Sequence, residues 1–337
     1  MRWLSVLILA GFVNFMGQSG IAQDAARVAY LWVDGAERAT ASGLLRPGAR
    51  AARVSDRFAV ASTGKAFLAV AVLQLHERGV LDIDDPAAKW LPENVSGAFG
   101  GLPGISIAHL LQMRSGLPDF YTDDYLDPVL EDPSKQTIGF ALGLVADAPV
   151  LFKPGRRFDY SNTNYLLAEL ILQRASGLSM AKYFDKHIFG PAKLKKTFVF
   201  GSRTLPNDFV SGTENLGSGP RDVSFYYQGQ GFGDGPLIST AEDMAAFYRA
   251  LFVDRILLSK PALTLMLTDV LGENYGMGIE IETLRGVGPV YGHSGGDLGF
   301  TADIRYAVEL DAIAVVLLAE PNGNTAASYE MLRSLNR

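Results

Sequence analysis

VASTGKAFLAVAVLQL, residues 60 to 75, decides how this chain is read. From Ala66 to His76 there is no Asp, Glu, Lys or Arg, the pattern of a helix buried on all sides. Lys65 nevertheless stands in its first turn, three residues after Ser62. A helix N-terminus carries roughly half a positive charge, and an apolar setting disfavours an ammonium further, so both effects push the lysine pKa down. A lysine that deprotonates readily is a general base. The i, i+3 spacing brings it beside the Ser62 hydroxyl, and the exposed N–H groups of the first turn point at the same spot. Ser-x-x-Lys at a helix start is thus a compact acyl-transfer device. Reading Ser62 as a mere N-cap leaves the lysine unexplained, because a capping box wants Glu or Gln at that position. A phosphate loop is excluded, since Ala59 and Ala66 stand where that motif needs Gly and Ser or Thr.

Around this stretch the pattern is α+β. RVAYLWV (27–33), followed by the Asp34-Gly35 turn, reads as the first arm of a hairpin. The helix beginning near Ser62 is expected to run to about Arg78, with Gly79 as its stop. From about residue 80 to 234 helical patterns alternate with Pro/Gly-rich loops, and 201–236 is loop-like. STAEDMAAFYRALF (239–252) opens a helix with Ser239-Thr240 as cap candidates. YGMGIEIETL, GPVYGHSGG, TADIRYAVEL and AIAVVLLAE then read as successive strands, and TAASYEMLRSL as a closing helix. The expected architecture is one antiparallel sheet built from N- and C-terminal strands and flanked by helices, with a mostly helical lobe inserted. The α/β lobe covers about 23–79 and 235–337, and the helical lobe about 80–234.

Composition narrows the function. Of 337 residues 48% are hydrophobic and 20% charged, and the formal charge of −6 argues against a nucleic-acid partner. Cysteine is absent, so a thiol nucleophile, a disulfide framework and a lipoprotein anchor are excluded. Residues 1–22 combine Arg2, the uncharged run WLSVLILAGFVNF and small residues at Gly20 and Ala22. They read as a secretory signal peptide cut after Ala22, placing the mature chain in a periplasm or outside the cell. A membrane partner is expected only if that segment stays uncleaved. The four histidines, 76, 109, 187 and 293, show no metal-ligand spacing.

Two further segments carry candidate chemistry. Tyr160-Ser161-Asn162 lies just before a helix in PGRRFDYSNTNYLLAEL, and YGHSGGDLGF (291–300) lies at a late strand. Taken alone, the first reads as a turn tyrosine with an N-capping Asn, and the second as a glycine hairpin with an incidental histidine. Gly-His-Ser-Gly-Gly also fits the Gly-x-Ser-x-Gly elbow of α/β-hydrolases, but that fold needs a strand-turn-helix here and a later histidine, and none follows His293.

In order, Ser62-Thr63-Gly64-Lys65, Tyr160-Ser161-Asn162 and His293-Ser294-Gly295 resemble the serine β-lactamase and penicillin-binding protein superfamily, in its class C β-lactamase, D,D-carboxypeptidase and esterase branch. The segments GVLDIDDP, ISIAHLLQMRSGLPDF, LISTAEDMAAF and YGHSGGDLGF read alike. The resemblance implies a β-lactamase/transpeptidase-like fold and an exported serine hydrolase that cleaves amide or ester bonds through an acyl-serine. It implies Ser62 as nucleophile, Lys65 as its activator and Tyr160 in proton transfer, with the choice of base between the last two open. Asn162 would bond the substrate amide and Lys65, while His293, Ser294 and Gly295 would place the substrate. The N–H groups of Ser62 and Gly296 would form the oxyanion hole, and no cofactor or metal is implied. Substrates would be small molecules or short peptides: a D-amino-acid peptide, an ester or a β-lactam. Histidine at 293, where β-lactamases of this branch carry lysine, favours peptidase or esterase chemistry over β-lactam hydrolysis. The other readings are a class C-type β-lactamase and an inactive penicillin-binding-like binding protein. Asp234, in GQGFGDGP (229–236), is expected to border the cleft, where it either repels anionic substrates or merely turns the chain.

Overall fold

The structure, a computed structural model, describes residues 25–217, 219–323 and 327–336. The expected signal segment lies outside them. Asp34 and Gly35 both take positive φ, 47° and 78°, the two-residue turn that suits strand twist. They join β1 (Arg27–Val33) to β2 (Ala36–Ser42). The late strands are β3 (Glu280–Leu284), β4 (Gly288–Asp297), β5 (Phe300–Ala307) and β6 (Ala312–Leu318). All six form one antiparallel sheet in the order β2-β1-β6-β5-β4-β3. The chain's two ends meet where β1 pairs with β6, Arg27 opposite Leu318.

The AIAVVLL run of β6 is buried along its whole length because helices cover both faces. Side chains alternate across a strand. Ile313, Val315 and Leu317 therefore join the large core with α1 (Lys65–Glu77), while Ala314, Val316 and Leu318 join a smaller core under α3 (Ala327–Ser334). Each fully buried Val, Ile or Leu here contributes about 1.5–3 kcal/mol.

Helix α1 is central: every residue from Lys65 to Leu75 is buried. Its entry differs from the single continuous helix expected from Ser62. Residues Ala61–Gly64 form a 3-10 turn, and the α-helix begins at Lys65, whose N–H donates to the Ser62 carbonyl. Ala61 is forced to φ 48°, a left-handed conformation that costs a non-glycine residue about 1–3 kcal/mol.

A short sheet determines what faces this turn. Phe58–Ala59 pairs with Leu237–Ser239, which also pairs with Phe198–Val199. That pairing lays residues 233–236 against the turn: a Cβ on Gly235 would sit 2.9 Å from the Ala61 carbonyl carbon. The same loop rests on α2 (Thr163–Ser176), which ends where Gly177 takes the left-handed conformation. On α2, Glu169 is buried, accepting from Gly233 N at 2.8 Å and Gln173 Nε2 at 2.7 Å. Burial lifts its carboxyl to about 8. The folded state thus holds a proton that the unfolded chain releases above its ordinary carboxylate range, and stability falls as pH rises toward 8. Glu169→Gln is expected to remove that slope and to stabilise the fold at pH 8 by roughly 2 kcal/mol, read by urea unfolding at pH 5, 7 and 8. An unchanged slope would reject Glu169 as its source.

Candidate active site

The 3-10 turn aligns the two residues singled out in the sequence, because side chains at i and i+3 eclipse in this geometry. Lys65 Nζ lies 3.0 Å from Ser62 Oγ. It also donates to Asn162 Oδ1 at 2.8 Å and to the Asp234 carbonyl at 2.5 Å, so the three protons of an ammonium each have an acceptor. Burial drives the Lys65 pKa down to about 8, against the pull of the Asp234, Asp119 and Asp297 carboxylates. The expectation invoked the helix dipole as well as an apolar setting; here desolvation is the main cause.

Asn162 occupies the N-cap position of α2 but makes no side-chain cap bond. Asp119 holds it instead, accepting from Asn162 N at 2.9 Å and Nδ2 at 3.0 Å. This fixes the amide with its oxygen toward Lys65. Tyr160 hydrogen-bonds Ser62, and its ring centroid is 5.0 Å from Lys65 Nζ. Burial raises the phenol well above its ordinary value, and the bond to Ser62 only partly offsets this. Tyr160 is therefore a neutral phenol at physiological pH, able to relay a proton but poorly suited to hold the charge of a resting base. Tyr160→Phe is expected to lower kcat on a neutral ester about 100-fold. A rate within threefold of wild type would remove the phenol from proton transfer.

Strand β4 closes the site. Gly295 presses on the helix entry: a Cβ there would lie 3.1 Å from Ser62 N and 2.9 Å from the Val60 carbonyl oxygen. Strand β3 pairs with β4 only as far as Gly292, so residues 293–297 present an open edge. Ser294 N points to that edge, toward Glu280. Along an antiparallel strand the N–H of residue i+2 points the same way, so Gly296 N–H faces the open edge too. Gly296 lines the cleft together with Ser62, the other residue expected in the oxyanion pair.

His293 lies on the α1 side of the sheet, opposite Ile304, and is 2% exposed. Its Nδ1 donates to the Ser294 carbonyl at 2.5 Å, leaving Nε2 to accept from Tyr275 Oη at 3.1 Å. Burial lowers its pKa to about 4, although Glu280 opposes the drop. It is a neutral, hydrogen-bonded wall and not a cation.

For Ser294 the expectation that it places the substrate meets a competing partner. It lies on the opposite face from His293, paired with Asp303, and its Oγ donates to Glu280 Oε1 at 2.8 Å. Both of its donors are engaged by one carboxylate. Burial works against the charge of Glu280, but Arg305 and the donors of Ser294 hold its pKa below the ordinary carboxylate range. With His293 neutral, Arg305 is the durable cation: its Nη1 is 2.5 Å from Glu280 Oε2.

Ser62, Asn162 and Gly296 thus line one cleft, with Lys65 and Gly295 packed against Ser62, Tyr160 beside Lys65, and His293 buried behind the Tyr160 ring. Asp119, Tyr121, Glu280 and Asp297 were not singled out in the sequence. Asp119 lies in SGLPDF and Asp297 directly follows Gly296, so position relative to the motifs is the signal that could have found them. Asp234 does border the cleft, alongside Tyr121, Tyr226, Phe232 and Asp297.

The family model described as Beta-lactamase matches residues 14–333. The chain is 30% identical over 283 residues to Penicillin-binding protein 4* of Bacillus subtilis, covering 76% of this chain and 59% of that protein. Among solved structures it is similar to a D-stereospecific amidohydrolase from Streptomyces sp., with 26% identity, TM-score 0.82 and coverage of 97% and 98% of the two chains. A penicillin binding protein from Bacillus halodurans is similar at 25% identity, TM-score 0.80 and the same coverage.

Proposed function

The chain belongs to the beta-lactamase family, and on that premise we propose that it is an exported serine hydrolase cleaving small amides or esters through an acyl-serine, with peptidase- or esterase-like specificity. The observation that carries the reading is the bond from Lys65 Nζ to Ser62 Oγ, within a buried set that also holds Asn162 and Tyr160.

In the first step neutral Lys65 takes the Ser62 hydroxyl proton as Oγ bonds to the substrate carbonyl carbon. The resulting oxyanion accepts from the N–H groups of Ser62 and Gly296, donors held in place before the reaction. When the C–N or C–O bond breaks, the leaving group takes its proton from Lys65 through the Tyr160 hydroxyl. Water then attacks the acyl carbon by the same route in reverse and frees Ser62. The similarity to a D-stereospecific amidohydrolase supports amide chemistry, and the neutral His293 weighs against efficient β-lactam turnover.

The test is intact-mass analysis after incubation with a phosphonate ester and with a fluorescent penicillin, beside steady-state assays on p-nitrophenyl butyrate and nitrocefin. Expected are a covalent adduct mapping to Ser62, ester turnover, and nitrocefin hydrolysis at least 100-fold slower than the ester. No adduct with any reagent would favour an inactive binding protein. Fast nitrocefin hydrolysis without ester cleavage would make it a β-lactamase. The same mass reports export: a chain beginning at Gln23 agrees with cleavage after Ala22, and a full-length secreted or membrane-bound chain contradicts it.

A further inference from the structure

In the cleft three carboxylates, Asp234, Asp119 and Asp297, share Lys65 as their cation. Asp297 stands one residue past Gly296 and is fixed by neutral donors: Tyr121 Oη at 2.5 Å and Leu298 N at 2.8 Å, both to Oδ1. Among the described residues no lysine, arginine or histidine forms an ion pair with it or with Asp234. Neutral donors orient the Asp297 carboxylate, while burial raises its pKa and lifts that of Asp234 to about 7, so a cation entering the cleft favours the ionised form of both. Lys65 is the nearest cation, and all three of its protons go to Ser62, Asn162 and the Asp234 carbonyl.

Two independent features point the same way. A substrate carboxylate lying along β4 would need donors at 293 and 294, but His293 is uncharged and Glu280 occupies both Ser294 donors. Such a substrate would approach one internal carboxylate at the strand edge and two more in the cleft. The cleft is also walled by Tyr121, Tyr226, Phe200 and Phe232, and aromatic faces attract a cation that is leaving water.

We propose that Asp297, with Asp234 opposite, binds a free ammonium on the acyl half of the substrate, so that the enzyme acts on unblocked amino-acid amides or esters and amino-terminal residues and not on substrates ending in a carboxylate. This rests on the reading of the cleft as a serine hydrolase site.

The test compares alanine p-nitroanilide with its N-acetyl derivative, in both enantiomers. Wild type is expected to show at least a tenfold higher kcat/KM for the free amine in the preferred enantiomer, carried by KM. Asp297→Asn is expected to bring that ratio close to one. Preference for the N-acetyl substrate, or a ratio that survives in Asp297→Asn, overturns the proposal. Calorimetric titration of Ser62→Ala with alaninamide and with N-acetylalaninamide depends neither on turnover nor on the Asp297 variant folding. At least tenfold tighter binding of the free amine is expected, and equal affinities refute the idea. If wild type fails to cleave even p-nitrophenyl acetate, the hydrolase reading fails, while the titration still reports on ammonium binding.

Discussion

Lys65→Met will lower kcat/KM on any ester or amide substrate by about 1,000-fold, within the range general-base catalysis supplies. Methionine matches the lysine stem in length and belongs in the apolar surroundings of α1, but it cannot take the Ser62 proton. Lys65→Arg should fall as far, because a guanidinium stays protonated at any accessible pH. Activity of wild type is expected to rise with pH through about 8, and that limb should vanish in the variant. Stability carries the same signature. The folded Lys65 pKa lies below its unfolded value, so the cost of burying the ammonium is present in full below pH 8. It is relieved as pH rises from there toward the ordinary lysine range, where the unfolded chain binds the extra proton. The stability difference between wild type and Lys65→Met, measured by urea unfolding at pH 7, 9 and 10.5, should shift in favour of wild type as pH rises. A pH-independent difference together with near-normal rates would show that Lys65 is neither buried as an ammonium nor the base.

Arg305→Leu will cost about 3–5 kcal/mol of stability, the usual consequence of leaving buried charges without a partner. Arg305 is 3% exposed and lies on β5, on the α3 side of the sheet. Besides Glu280, its Nε is 2.8 Å from Asp303 Oδ1, a contact too oblique for a linear hydrogen bond, and the guanidinium lies 4.7 Å over the Tyr329 ring. Its removal leaves Asp303 and Glu280 as neighbouring carboxylates in a closed layer. Asp303 already stands near 7 because burial outweighs the attraction of Arg305. Without the arginine it will take up a proton, so the deficit should narrow as pH falls toward 5. Adding Asp303→Asn should recover part of the loss, giving a favourable coupling in a double-mutant cycle. A loss under 1 kcal/mol, or additive effects, would mean that water or backbone already solvates these groups. Activity should suffer too, because Glu280 is the link between Arg305 and the Ser294 edge.

The parts of the fold legible in the sequence were those set by neighbours in the chain. Asp34-Gly35 marks a turn because both of its residues must take positive φ, and few residue types do so readily. STAEDMAAF announced its helix by a capping threonine, Thr240, which accepts from Asp243 N. The central helix was plain from its unbroken apolar run, but its 3-10 entry was not. That turn follows from the pairing of residues 58–60 with 237–239 and from the packing of Pro236 2.9 Å from where a Gly64 Cβ would stand. At the site, Ser62 and Lys65 could be paired by spacing alone. Asn162 looked like a cap because its position is a cap, and only Asp119, 43 residues earlier, turns its amide toward Lys65 instead.

The sequence by itself determined the alternation of the strands, the single lysine in an apolar helix and the order of the three motifs, all of them properties carried by residues a few positions apart. The tertiary structure alone decided the charge of the cleft. Lys65 meets Asn162 across 97 positions and the Asp234 carbonyl across 169, and Glu280 reaches Ser294 only because two strands pair. Coulomb energy and desolvation depend on distance through space and on what excludes water, and neither quantity can be read along the chain.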